Sequence, residues 1–362
     1  MATQLSHSKR MWIRFRRHTL AQIGTVAFAM MLILILFAPF FSPNDPQHQD
    51  YSAVHVPPQK IRFRDSNGAF SLRPFVYALD REMDPTTFKT IYTEDTTTKY
   101  PIQFFVRGWS YRLLGIFETD IHFFGVSDAG SLYIFGSDAN GRCLFSRILH
   151  GGRYTLLIAC VAGLLSGTIA ALVGCVSGYF GGVVDMALQR VIEVLMCFPR
   201  IPLWMAFAAS VPRNWPPIRI VFAITAVFAL LSWPGMARAV RGKVLPFRDQ
   251  DFVLAARAIG ASPFRIVMLH VLPQAISHIV VGITLLIPWL ILGESTLSFL
   301  GLGVRSAEFA TWGALLRAAQ NLQSVALYPW LMLPGAFIVV AVLAINFIGD
   351  GLRDAADPYG IS

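Results

Sequence analysis

Charge is what this sequence has least of. Of its 362 residues, 14% are charged and 55% are hydrophobic, against ~25% charged in an ordinary soluble domain. That balance excludes a single soluble domain and points to a chain that crosses a bilayer several times. Acidic residues are the scarcer sign, with 21 Asp and Glu against 30 Lys and Arg and a net charge of +9. The excess does not read as nucleic-acid binding. Many of the basic residues stand at the ends of apolar runs, where they set membrane orientation. Cysteine is also scarce. Cys160, Cys175 and Cys197 fall within or at the ends of apolar runs, and Cys143 stands alone in a polar region. With no Cys-x2-Cys and no His/Cys ligand spacing, neither a disulfide framework nor a metal site is expected. No Gly-x4-Gly-Lys-Ser/Thr is present, so the chain has no P-loop for ATP. No His-Glu-x-x-His or Gly-x-Ser-x-Gly is present either, which leaves a membrane protease or esterase unsupported. His122, His150 and His278 are scattered and read as surface or interface residues. No catalytic residue, metal or cofactor is expected.

Long apolar runs are what the sequence has instead. A bilayer core needs about 20 apolar residues per helix. Six segments qualify: 20–41, 154–177, 186–211, 218–236, 275–300 and 325–348. The first follows Lys9, Arg10, Arg14, Arg16 and Arg17. It is longer than the core of a signal peptide and reads as an uncleaved spanning helix. The third is interrupted by Pro199, Arg200 and Pro202. Without it, five spans would move the C-terminus to the other side. The loop 237–274 carries Arg238, Arg241, Lys243, Arg248, Arg257 and Arg265, whereas the opposite loops hold Arg213, Arg305 and Arg317. The basic bias therefore predicts residues 1–19, 237–274 and 349–362 in the cytoplasm. Residues 20–41 form the first span, 42–153 lie outside, and 154–348 form a core with spans two to six.

A connection as long as 42–153 is unusual without structure of its own. Residues 60–64 alternate, Asp65-Ser66-Asn67-Gly68 is a turn signal, and 69–72 continue as a strand. A second hairpin is expected from 121–126 and 131–135 around a turn at 127–130. Residues 104–112 between them are aromatic-rich. The fold class predicted is an all-α polytopic membrane protein of six transmembrane helices with a small β-rich extracytoplasmic insertion.

The most informative stretch is 251–273. It reads as a small helix, a bent turn at Gly260 and a second small helix at the membrane surface. Ala255 and Ala256 would offer a flat, small face to a partner, and Pro273 would mark where the second piece stops. An amphipathic interfacial helix is the alternative. Glu294 lies inside the fifth apolar run, where an ionisable group is a functional candidate by default. It would either line or support a pathway or make a structural hydrogen bond. Glu193, with Arg190, reads as one end of an interhelical ion pair or, together with Glu294 and Arg200, as a candidate along a translocation pathway. Arg200 either belongs to such a pair or faces a translocation cavity. Gly163, Gly167, Gly174 and Gly178 read as close-packing positions.

Ala255-Ala256, Gly260 and Leu272-Pro273, at these spacings, resemble the cytoplasmic coupling loop of ABC-importer permeases. Other pieces fit the same family in order: 136–147, Gly178-Tyr179-Phe180-Gly181-Gly182 with Asp185, 298–303 with Trp312-Gly313, and 349–355 with Asp357-Pro358. The set resembles the second permease subunit of dipeptide and oligopeptide ABC importers. Leu254 stands where many members have Glu, His270 where many have Ile, and Cys143 where Asp is usual. A histidine at 270 is familiar in the peptide subgroup. The resemblance implies a coupling loop of Leu254, Ala255, Ala256, Arg257, Gly260, His270, Leu272 and Pro273 that docks on an ATPase. It also implies a second homologous permease subunit, two ATP-binding subunits, an extracytoplasmic solute-binding protein and a lipid bilayer around the spans. The solute would be a peptide or peptide-like, though nickel-chelate, opine and sugar systems share this permease class. A secondary transporter would instead show an inverted repeat with paired broken helices, and neither is evident.

Overall fold

The computed structural model of the chain describes residues 7–66, 68–83, 85, 90–126, 130–212, 214–304, 306 and 309–356. Arg213, Arg305, Asp357, Pro358, the side chains of Lys9 and Arg10, and most of the turn expected at 127–130 lie outside the described residues. Two compact units result. One comprises Met1–Ala29, Leu156–Leu297 and Ile338–Ser362, and the other Met30–Thr155 and Ser298–Phe337.

Apolar length produced the helices. After α1 (His7–Phe15), α2 (Thr19–Leu36) stops at Phe37, because Pro39 opens a new short helix, α3 (Ala38–Phe41). The outermost carbonyls of α2 are satisfied by Arg153, which donates to Ile35 O at 2.9 Å and Leu36 O at 2.6 Å. α4 (Leu144–Phe180) is the second span. The third expected span is broken. α5 (Gly182–Cys197) and α6 (Arg200–Ala209) are bent by 84° at their junction. Pro199 forces the residue before it into extended backbone, and Phe198 is indeed extended, with ψ 137. Then follow α7 (Pro217–Val244), α8 (Asp251–Ala258), α9 (Pro263–Ile266), α10 (Leu272–Phe299), α11 (Trp312–Leu316), α12 (Leu322–Leu327) and α13 (Leu333–Ala356). Among the described residues, five helical stretches are long and apolar enough to cross a membrane, or six if the bent pair counts as one span. The last begins at Pro329, not at 325. Residues 325–327 belong to α12, which ends at Tyr328 before Pro329 opens a 3-10 turn.

In the first unit the glycines of α4 are close-packing positions, as expected. A Cβ at Gly163 would meet Ile287 of α10 at 3.0 Å, and one at Gly174 would meet the Ala237 carbonyl of α7 at 2.6 Å. Helices without side chains on the facing surface approach backbone to backbone.

The second unit holds the sheets. β1 (Arg62–Arg64), β2 (Phe70–Met83) and β3 (Thr90–Pro101) form an antiparallel sheet in that order, and Arg64 pairs with Phe70 across the expected first hairpin. The second hairpin differs from expectation. β5 (Phe117–Gly125) pairs with the aromatic segment β4 (Gln103–Leu113), not with residues 131–135, which form no strand. The turn is centred on Leu114-Gly115 and is closed by the Ile116 N–H, which donates to Leu113 O at 3.0 Å. His122 is not a surface residue. It is fully buried, with Nδ1 2.9 Å from Pro39 O and Nε2 3.0 Å from Trp109 O. Asp138 accepts from Arg142 Nε at 2.9 Å and also binds Arg147, which ties the segment before α4 to its first turns. Cys143 is buried in an apolar cluster with Ala53, Val56 and Tyr133, and burial pushes its thiol pKa up. A carboxylate there would be a buried charge, so the cysteine fits the packing that surrounds it.

Candidate functional site

The stretch between α7 and α10 is built from four short pieces. α7 runs into a 3-10 turn, Leu245–Asp249, and α8 follows. α8 ends in a Schellman motif. Ala261 N–H bonds Ala256 O at 3.0 Å, Gly260 N–H bonds Arg257 O at 2.9 Å, and Gly260 takes φ +80. Ser262 then accepts from the Arg265 N–H and caps α9, with Pro263 at the first helical position. The helix does not stop at Pro273. It passes through a π segment, Val267–Val271, and continues as α10. Leu272 N–H reaches back to Val267 O, one residue further than in an α-helix, just before the residue that has no N–H to give.

One face of this stretch is anchored. Val253, Ala256, Ile266, Val267 and Val271 are buried together with Ala171, Cys175 and Tyr179 of α4 and Val240 and Val244 of α7. Arg257 donates from Nε to Tyr179 Oη at 3.2 Å, and its guanidinium lies 5.0 Å from the Tyr179 ring centre. At the turn between α4 and α5, Gly181 has φ +64. Asp185 takes both Nε and Nη2 of Arg241 at 2.6 and 2.5 Å, and Ser177 Oγ donates to it as well. This fork-on-carboxylate pair fixes α5 to α7 close to where the stretch begins.

The other face is uncovered. Leu254, Ile259, Phe264 and Leu269 are 47%, 85%, 75% and 60% exposed. Ala255 is exposed too, but Ala256 is 5% exposed and faces the core, so the flat alanine pair expected from the sequence is split between the two faces. His270 and Leu272 are half-buried and Pro273 is exposed.

The three pathway candidates do not form one cluster. Glu193 pairs with Arg190 at 2.9 Å, three residues away on the same helix, so the pair is intrahelical and not interhelical. Arg200 is exposed at the start of α6, where its Nη2 lies 3.2 Å from the Cβ position of Gly235 in α7. Glu294 is 1% exposed. Its neighbour Gly293 lies under Trp204 and Phe228, whose rings meet edge to face at 4.8 Å.

Residues 163–359, which contain the anchored stretch and every span after the second begins, match the family of binding-protein-dependent transport system inner membrane components. The chain belongs to this family. Residues 6–58 of the permease match the N-terminal transmembrane domain of oligopeptide transport permease C. It is 41% identical over 232 residues to the oligopeptide transport system permease protein OppC of Escherichia coli, covering 64% of this chain and 74% of that one. The corresponding protein of Salmonella typhimurium is 40% identical over the same shares. The MetNI methionine ABC transporter in an inward-facing conformation has a TM-score of 0.45 at 20% identity, with 57% of this chain and 95% of that chain covered.

Two features of the permease escaped the sequence reading. Asp185 stands in a recognisable motif, but its partner Arg241 is 56 residues away and no local pattern joins them. The burial of Ala256 was in principle legible, since Val253 and Ala256, three residues apart on α8, face the same core.

Proposed function

We propose that this permease subunit translocates peptides or peptide-like solutes by alternating access, driven by separate ATP-binding subunits. One observation carries the reading. The stretch Asp251–Val271 has one face locked to α4 and α7 and leaves large apolar side chains uncovered on the other. An element held this firmly transmits a push, and an uncovered apolar ridge calls for a partner protein. Leu254, Ala255, Ile259 and Phe264 would meet the ATPase. Arg257, Ala256 and the π segment beside His270 and Leu272-Pro273 would pass the motion to the spans. Gly260 gives the turn its shape. Differential binding of this ridge to two ATPase states would shift the permease between inward-open and outward-open forms.

The peptide class follows from the oligopeptide permeases to which the chain is similar. The assembly would hold a second homologous permease, two ATPases and an extracytoplasmic solute-binding protein, and ATP hydrolysis would belong to the partners. Residues 1–19, 237–274 and 349–362 would lie in the cytoplasm and 42–153 outside, with Glu294 and Arg200 as candidates along the pathway. The test is uptake in cells carrying Gly260→Leu, with co-purification of the ATPases. Uptake should collapse and the ATPases should be lost, with the permease still inserted. Normal docking and uptake would leave this stretch an interfacial helix. Ligand binding to the cognate binding protein identifies the solute, and failure to bind any peptide would sink the peptide assignment alone.

A further inference from the structure

The β4–β5 hairpin holds two large apolar residues in backbone that favours glycine. Phe105 has φ 56 and Leu114 has φ 53. Leu114 and Gly115, at φ 53 and 77, are the central residues of the β-turn Leu113–Ile116 in the hairpin loop, with both φ values positive. Asn-Gly is the natural choice there. A leucine at that corner is a misfit to the turn, and burial does not explain it. Leu114 is 49% exposed, Ile116 75% and Phe117 66%. Such a side chain is kept where something outside the hairpin receives it.

The hairpin's position says what that is. α2 and α4 are both long and apolar enough to cross a bilayer. The body of the hairpin is fastened where α2 ends, with His122 Nδ1 2.9 Å from Pro39 O. The Trp109 ring centre lies 6.2 Å from that of His150, inside α4. Phe123 packs on Phe40 and Phe41 at 5.8 and 5.4 Å. Aromatic side chains gather at this depth in membrane proteins. From Phe123 the same face of β5 continues through Ile121, 40% exposed, and the half-buried Thr119 to Phe117, 66% exposed. At the end of α2, Ile33 and Leu36 are uncovered as well, 53% and 52% exposed. The charges of the hairpin cancel in pairs across the strands: Arg107 with Asp120 at 4.0 Å and Arg112 with Glu118 at 3.3 Å.

We infer that the β4–β5 hairpin docks on the lipid bilayer, with Leu114, Ile116 and Phe117 at its tip in contact with acyl chains. The hairpin is then a second membrane attachment, independent of the spans and of which solute is carried. The side of the membrane follows from the topology proposed above, but the docking does not depend on it.

Site-specific quenching tests this. In a Cys197→Ser background, Phe117→Cys on the hairpin and Thr93→Cys on β3 are each labelled with bimane. The full chain is then reconstituted in phosphatidylcholine vesicles containing doxyl-labelled lipid. Lipid quenching should be severalfold stronger at position 117 than at 93, and aqueous iodide should quench 117 less. Equal behaviour at the two positions overturns the proposal. So does a tip shielded from iodide but unquenched by lipid, which would mean that protein covers it. Leu114→Asn suits the turn better than leucine and so keeps the hairpin folded. It should lower the lipid quenching at 117, and an unchanged signal would remove Leu114 from the contact.

Discussion

The stretch Asp251–Val271 and the β4–β5 hairpin both leave large apolar side chains uncovered, but they are held in opposite ways. The first is seated along its whole length, with a buried residue on every piece from Val253 to Val271. The hairpin is fastened at its root, through His122 and the Phe40–Phe41–Phe123 cluster, and its tip residues Leu114, Ile116 and Phe117 are exposed. They also treat the left-handed backbone differently. Gly260 sits at φ +80 with nothing within 4 Å of its Cβ position, whereas Leu114 accepts the same conformation with a full side chain. In the coupling role proposed above, the stretch would have to keep its shape under load, and its corner is a residue at ease there. A surface anchor is free to carry strain if the side chain is what it delivers.

Substitutions can break this contrast. Gly260→Leu should have the largest effect, because a side chain at positive φ costs about 1–2 kcal/mol and would stand in the uncovered ridge. Uptake should fall to background while membrane insertion is unchanged. Gly260→Asn, which tolerates that backbone, should keep much of the uptake, and equal loss in both would point to the side chain and not the turn. Next, Asp185→Ala removes the fork held on Arg241 and should lower thermal stability by about 1–3 kcal/mol, measured on the detergent-purified permease. An unchanged melting point would mean that the buried face alone seats the stretch.

His122→Ala should act on the hairpin only. It deprives two carbonyls of their ring contacts, and hydrogen exchange in 103–125 should rise with the spans unaffected. A rise spread over α4 and α10 would show that the hairpin is part of the core. The smallest effect is one of pH. His55 stacks on Tyr328 with ring centres 3.9 Å apart. Burial holds its pKa below the ordinary 6.5, with Asp138 opposing. The unfolded segment therefore takes up a proton first as pH falls. The stability of the stack is complete above 6.5 and declines as pH drops from there towards the folded value. Hydrogen exchange of residues 50–56, corrected for its intrinsic rate, should speed up on acidification, and His55→Gln should flatten the response.

The sequence disclosed what depends on composition and on fixed local chemistry. Five of the spans were legible as apolar length, and the break in the remaining one was legible from Pro199 and Pro202. The corner at Gly260 was legible because glycine is the residue most at ease there. The sixth span was placed too early because residues 325–327 are as apolar as a span, and only Pro329 separates them from it. The second hairpin was paired with the wrong partner for a related reason. Ser127–Gly130 has good turn chemistry and Leu114-Gly115 has poor chemistry, yet it is across Leu114-Gly115 that β5 finds its partner strand. β3 was missed because its Thr-rich run lacks an apolar alternation to announce it. Within the candidate site, spacing gave the residues but not their directions, so Ala256 was assigned to the wrong face.

The π segment has a consequence for how the stretch is aimed. Each residue of an α-helix turns the chain by about 100°, and the extra residue between Val267 and Leu272 is taken up within a single π turn. Loss of one residue there would restore ordinary winding and leave Phe264 and Arg265 facing as they do now, because the π turn already absorbs the extra residue. Insertions and deletions are usually tolerated in loops and ruinous in helices. Here, inside what looks like one continuous helix, is a place where a residue can be lost without re-aiming the ridge, so a change of length is absorbed that an ordinary helix would pass on to everything before it.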